Sequence, residues 1–278
     1  MRNKHKQLGV TLVEMMVVVA IAALMIGLII PATNMLLNSF ESESGAKSII
    51  SSALASARAI AAKEQRYAGI RFQKRYDPNN PDPLNASQYI IFIIEKEKEH
   101  SNSLDYGFRA VDGIQPIKLP DSIGVMDLTI RTNRGLTANA AEDTSERTID
   151  DNVWINEPEE VNDTTAFSII FSPSGKLVIH EARMRNRGED YRPITPAQSK
   201  HDDIFNSPIN IVNNNLGMFI QDDYAYLGYG SEMSRNNFVI YDTKKFKQAY
   251  NSGSAYSGYL SQLKPIYINP YTGTIITQ

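Results

Sequence analysis

A chain of 278 residues, 42% hydrophobic and 21% charged, is long enough to bury a core, and its composition is that of an ordinary folded protein. Its 28 basic and 31 acidic side chains leave a net charge of -3, without the basic excess of a non-specific nucleic-acid binder, so no nucleic-acid partner is expected. The absence of cysteine excludes disulfides, thiolate metal sites and a cysteine nucleophile.

Arg2, Lys4 and Lys6 precede an apolar run over residues 10–30, VTLVEMMVVVAIAALMIGLII, in which Glu14 is the single charge. As a helix rising about 1.5 Å per residue this run spans roughly 30 Å, the thickness of a bilayer's hydrocarbon core. A basic leader stays on the cytoplasmic side, and the first charges after the run are Glu41 and Glu43. The expected topology is a single pass through the inner (cytoplasmic) membrane, with the amino terminus cytoplasmic and the rest exported. A general secretory leader carries its small-residue cleavage site after the apolar region. Here Pro31-Ala32-Thr33 follows the run without an A-x-A pattern, and Gly9 stands immediately before it.

A carboxylate near the middle of a membrane costs about 2.5–3.5 kcal/mol on insertion scales, so Glu14 is expected to have a partner or a role. It lies one helical turn from Val10. The string Gly9-Val10-Thr11-Leu12-Val13-Glu14 resembles the class III leader of type IV pilins and type II secretion pseudopilins. The resemblance implies that a prepilin peptidase cuts between Gly9 and Val10 and methylates Val10, a position where the family usually has Phe. It also implies that Glu14 pairs with the amino terminus of a neighbouring subunit inside a filament. Pro31 is the 22nd residue counted from Val10, where many pilins carry a helix-kinking proline.

Beyond Pro31, Ala46, Ile49, Ile50, Ala53, Leu54, Ala57, Ile60 and Ala61 recur at three- and four-residue spacing, with serines and charged residues between them. This pattern predicts an amphipathic helix whose apolar face lies on a sheet. A continuous helix from residue 10 to about 66 would be roughly 85 Å long. Its first half would serve membrane and filament, and its second half would form one wall of a folded head.

The periodicity then changes. Strands are expected over residues 67–72, 88–95, 115–119 and 124–130, with a proline-rich loop at Asp77-Pro78-Asn79-Asn80-Pro81-Asp82-Pro83. A hairpin is expected over 166–172 and 176–180, turning at Pro173-Ser174-Gly175. "SARAIAAKEQRYAGIRF" (56–72) followed by "FSPSGKL" (171–177) is similar to the GspH/FimT-type minor pseudopilins, in which a long helix runs into a β-sandwich-like domain. The polar stretches 132–165 and 181–207 read as long surface loops. In the tail we expect a strand over 236–242, helical pieces over 243–263 and a last hairpin over 265–277.

The expected organisation is therefore a leader over 1–9, a transmembrane helix over 10–30, its amphipathic continuation over 31–66 and an extracytoplasmic β-rich head over 67–278. The fold class is α+β and pilin-like, a long amino-terminal helix packed on an antiparallel sheet.

The four histidines, His5, His100, His180 and His201, form no metalloprotease motif, and neither a nucleophile elbow nor a phosphate-cradling glycine loop is present. His201-Asp202-Asp203 and Asp222-Asp223 lack calcium-loop spacing and read as solvated acids, so no metal, cofactor or catalytic residue is expected. The tyrosines of 219–229 read as core packing, with a contact surface the alternative. The resemblance implies a non-catalytic subunit of a type II secretion or type IV pilus-like filament, a minor pseudopilin. Its partners would be the prepilin peptidase, other pilin or pseudopilin subunits, the inner-membrane assembly platform and, before assembly, membrane lipid. It would end in a periplasmic or surface filament. The alternative is a signal-anchored extracytoplasmic binding protein or enzyme that never enters a filament.

Overall fold

The computed structural model describes residues 13, 15–19, 21, 43–95, 107–131, 146–151, 155–184, 203–206, 217–220 and 232–276. The expected leader, most of the 10–30 run and the continuity of the helix through Pro31 lie outside the described residues. So do the tyrosines of 221–230.

Helix α1 (Glu43–Glu64) buries Ala46, Ile50, Ala53, Leu54, Ala57 and Ala61, with Ile49 and Ile60 packed beside them. These are the residues that the three- and four-residue spacing selects. Four of the six fully buried residues are alanine, which lets the helix axis approach the sheet closely. The helix ends where Gln65 turns to a left-handed φ of 53°, and the chain re-emerges as β1 (Ala68–Lys74).

β1 is central to the larger sheet. It pairs antiparallel with β2 (Gln88–Glu95) on one side and with β8 (Phe167–Phe171) on the other. β3 (Gly107–Ala110) and β10 (Glu181–Met184) extend the sheet past β2, where β10 joins β3 in a parallel pair and β13 (Glu232–Met233) pairs with β10. β9 (Leu177–Val178) closes the other edge beside β8, and β4 (Ile117–Lys118) pairs with the start of β2. Side chains alternate between faces: Ile70, Phe72, Ile90, Phe92, Phe167, Ile169 and Phe171 meet α1. Ile91, Ile93, Phe108 and Ile170 point the other way, against β11 (Phe205–Asn206) and β12 (Phe219–Ile220). Both faces are covered, which is why β2 reads QYIIFIIE, nearly continuous in apolar residues rather than alternating.

A smaller sheet joins β5 (Ile123–Met126), β14 (Asn237–Asp242), β15 (Ile266–Ile268) and β16 (Ile275–Ile276), all antiparallel. Phe238, Ile240, Ile123 and Val125 contribute to the α1 core, while Val239, Tyr241 and Met126 face a separate cluster. That cluster is roofed by α2 (Pro158–Thr165), α3 (Thr243–Asn251), α4 (Ala255–Gly258) and a 3-10 turn at Leu260–Gln262. The helical pieces expected over 243–263 and the last hairpin are both present.

Two expectations need correction. The stretch 132–165 is more than a loop. β6 (Thr129–Arg131) pairs with β7 (Glu146–Thr148), and α2 follows, with Ile149, Ile155 and Val161 buried. The start of α2 was written in the sequence: Pro158 occupies the first turn, and the Glu160 carboxylate accepts from the backbone N–H groups of Asn156 and Glu157 at 2.8 and 3.0 Å. Glu157, Glu159 and Glu160, three of the acids that give this stretch its loop-like polarity, sit at the helix amino terminus, which negative charge stabilises. The stretch 181–207 likewise holds β10 and β11 among its described residues. The architecture, helices with mainly antiparallel sheets, is the α+β class read from the sequence.

Candidate functional site

Gly9, Val10, Glu14 and Pro31, the processing and assembly residues implied by the leader, lie outside the described residues. Their described neighbours, Val13, residues 15–19 and Ile21, are helical. Apolar side chains at Val13, Met15, Met16, Val17, Val18, Val19 and Ile21 are each more than half exposed. Among the described residues no helix is long and apolar enough to cross a membrane.

The head end of the same chain is described in detail, and its connection to α1 is specific. Arg58, on α1, donates through Nε to the carbonyl of Gly175 at 2.8 Å and through Nη1 to the carbonyl of Thr272 at 3.0 Å. The first acceptor belongs to the Pro173-Ser174-Gly175 turn between β8 and β9, the second to the turn between β15 and β16. Both turns carry a glycine at positive φ, 74° at Gly175 and 70° at Gly273. A Cβ on Gly175 would sit 3.2 Å from Arg58 Nε, and one on Gly273 would lie 2.9 Å from Phe171 Cε1. One guanidinium therefore draws two hairpin tips onto the helix, and glycine is needed at each for conformation and for space. The SARA and SPSG strings, separate signals in the sequence, meet at this contact.

On the sheet face away from α1, Arg71 is 1% exposed and pairs with Glu232. Its Nε donates to Gln73 Oε1 at 2.7 Å, and Ser168 Oγ lies within reach of both the guanidinium and the Glu232 carboxylate at 3.3 Å. The pair ties β1 and β8 to β13. A second brace joins Arg235 to Asp127 at 2.8 Å and, with both terminal nitrogens, to the Glu146 carboxylate at 2.7 Å. A third is the Gln88 amide, which donates to the carbonyls of Val125 and Thr165 and accepts from Val125 N–H, fastening the larger sheet to the smaller one. The Arg71–Glu232 and Gln88 contacts are buried, where a lost partner is costly, whereas Arg235 reaches Glu146 at the surface.

His180 is half-buried, with Nδ1 2.6 Å from the Glu181 carbonyl and its ring packed on Tyr67 and Phe108. Among the described residues no group of three or more His, Cys, Asp or Glu side chains is placed to hold a metal ion. His201, Asp202, Asp222 and Asp223 lie outside them. Burial pushes the Tyr241 phenol well above its usual range, as expected of an aromatic core residue.

Residues 4–30 match the family model described as the prokaryotic N-terminal methylation motif, the prepilin-type signature of type IV pilins and pseudopilins. The match covers the amino-terminal segment and none of the head. No curated protein and no solved structure matches the chain. The motif supports a type IV pilin-like or pseudopilin subunit, and it implies processing by a prepilin peptidase and assembly with other pilin subunits.

Proposed function

We propose that this chain is a non-catalytic minor pseudopilin, or a closely comparable minor pilin, of a type II secretion or type IV pilus-like filament. A prepilin peptidase removes residues 1–9 by cutting between Gly9 and Val10 and methylates Val10. The helix over 10–30 holds the precursor in the inner membrane with the head exported, and an assembly platform then draws it into a bundle of like helices. In that bundle Glu14 pairs with the amino terminus of a neighbour, which fixes register, and Pro31 kinks the helix on its way to the head.

The observation that carries this reading is the methylation motif at 4–30, with Glu14 set five residues behind Gly9. The exposed apolar side chains flanking Glu14 support it, because a helix that is apolar all round belongs in lipid or among other helices. Moving such a helix from lipid to a bundle changes little in hydrophobicity, so packing and polar pairs decide the association. The Arg58 contacts support a mechanical role, because a pull on the helix reaches the head through the guanidinium as well as through the core.

The test is amino-terminal mass spectrometry of the protein co-expressed with a prepilin peptidase. The expected product begins with N-methylated Val10. A mature protein that keeps its first nine residues overturns the reading in favour of a plain signal anchor.

A further inference from the structure

Lys74 closes β1 and is only 8% exposed. Its ammonium offers three N–H donors, and one is met by the Ala86 carbonyl at 3.0 Å. Burial lowers its pKa from 10.5 to about 8, against the opposing pull of the Asp82 charge. Among the described residues no carboxylate is in contact with it, and a buried ammonium without a counter-ion at contact is an expensive arrangement for a head that has cheaper ways to fill space.

The same lysine lines a cavity of about 310 Å³ bounded by residues 84–88, by the segment around Asp121 and by the start of α3. Lys244 and Lys247, from the first two turns of α3, line it as well. Asp121 is the one acid among the lining residues, and it is engaged by Lys118 Nζ at 2.8 Å and Ser87 Oγ at 2.9 Å. Asp242, which caps α3, accepts from the backbone N–H groups of Lys244 and Lys245, so its charge is directed at its own helix. Lys247 Nζ reaches Asn85 Oδ1 at 2.6 Å, which holds that ammonium over the 84–88 wall. Three lysines from two elements thus line a hollow whose single carboxylate is already bound, with the Lys74 and Lys247 ammonium groups held at its 84–88 wall.

We propose that this cavity is a binding site for a small oxyanion, a carboxylate or phosphate group held by Lys74, Lys244 and Lys247. The occupant supplies the counter-charge that burial denies Lys74, and each ammonium adds a charge-assisted hydrogen bond. The volume lies at the small end of ligand cavities, which suits one anionic group with a few attached atoms. Two sources offer that chemistry: a free anion, or an acidic side chain presented by another protein.

The site is read through the reactivity of Lys74. The full-length protein in detergent micelles is treated briefly with acetic anhydride near neutral pH, and acetylation at Lys74 is quantified by peptide mass spectrometry. Lys63, whose side chain is 81% exposed on α1, serves as the internal reference. At saturating millimolar inorganic phosphate or succinate, with chloride balancing ionic strength, Lys74 labelling should slow about tenfold while Lys63 is unchanged. The double variant Lys244→Gln, Lys247→Gln alters only residues of α3 at the cavity mouth, and it should lose most of that protection. Protection by a short Asp/Glu-rich peptide at lower concentration than by succinate identifies a protein carboxylate as the occupant; the reverse order identifies a free anion. The proposal is overturned if neither anion slows labelling, if Lys63 is protected equally, or if the double variant is protected as well as the parent. It is also overturned if Lys74 does not react at all, because a cavity closed to acetic anhydride is closed to phosphate.

Discussion

Arg58 Nε and the carbonyl of Gly175 meet at 2.8 Å across 117 positions of sequence, and the same guanidinium reaches Thr272 O at 3.0 Å. A single side chain on the helix thereby organises the tips of two hairpins from the two sheets. Replacing it by methionine keeps most of the packing of its stem and removes both bonds. We expect Arg58→Met to cost about 2 kcal/mol, because hydrogen bonds from charged donors are worth more than neutral ones and this group is only partly buried. Gly175→Ala should cost about 1–2 kcal/mol through its left-handed φ and its contact with Arg58. Urea denaturation of the two variants and their combination measures both. Since the two changes disturb one contact, the double variant should lose less than the sum of the singles.

The pairing of Arg71 with Glu232 predicts an asymmetry. Glu232→Ala removes an ion-pair partner from a guanidinium that is 1% exposed and should destabilise the head by roughly 3–5 kcal/mol. Replacing both partners with apolar residues, Arg71→Met with Glu232→Leu, should recover most of that loss, since both charges of the buried pair are removed together. Thermal denaturation of the single and double variants decides it. Equal losses in the two would mean that the pair contributes through packing rather than charge.

Lys74 sets a pH dependence with a definite sign. Its pKa is lowered from 10.5 to about 8 in the folded state, so between those values the unfolded chain binds the extra proton. Stability therefore rises with pH across that window, by up to about 3 kcal/mol, and the full cost of the buried charge is borne below pH 8. The phenols of Tyr241, Tyr250 and Tyr259 are raised in the fold and act in the opposite direction at the alkaline end, where unfolded tyrosine ionises. Comparing pH 7.5 with about 9.5 avoids most of that overlap. Lys74→Met should be more stable than the parent at the lower pH and should flatten the slope; urea midpoints at both values measure it.

On the function proposed above, Glu14→Ala should leave cleavage between Gly9 and Val10 intact while reducing incorporation into filaments about tenfold or more, the equivalent of losing one favourable charge pair. A peptidase co-expression assay reports cleavage, and sedimentation of sheared filaments reports incorporation. Wild-type incorporation of the variant would remove the assigned role of Glu14.

Much of the head was legible along the chain because its cause is local. The spacing that selects Ala46, Ile50, Ala53, Leu54, Ala57 and Ala61 is the spacing of one helix face, and those residues are buried. QYIIFIIE is a strand of the same eight residues that the string suggests, and the Pro173-Ser174-Gly175 turn joins the strands it was expected to join. Pro158 and the acids beside it are equally local and mark the start of α2, but they lie in a stretch whose overall polarity reads as a loop.

The amino-acid order alone was enough for the prepilin-type signature, the apolar face of α1 and the existence and type of most strands. Those features arise from hydrophobic periodicity, turn chemistry and one isolated charge, each expressed within a few residues. Folding in three dimensions decided the pairing of Arg71 with Glu232, the meeting of Arg58 with two distant hairpin tips, and the three lysines around one cavity. Polar partners separated by a hundred residues or more leave no period to detect. Only chain packing, which brings β1, β13, the hairpins and α3 to their places, gives those charges neighbours and a low-dielectric setting in which they matter.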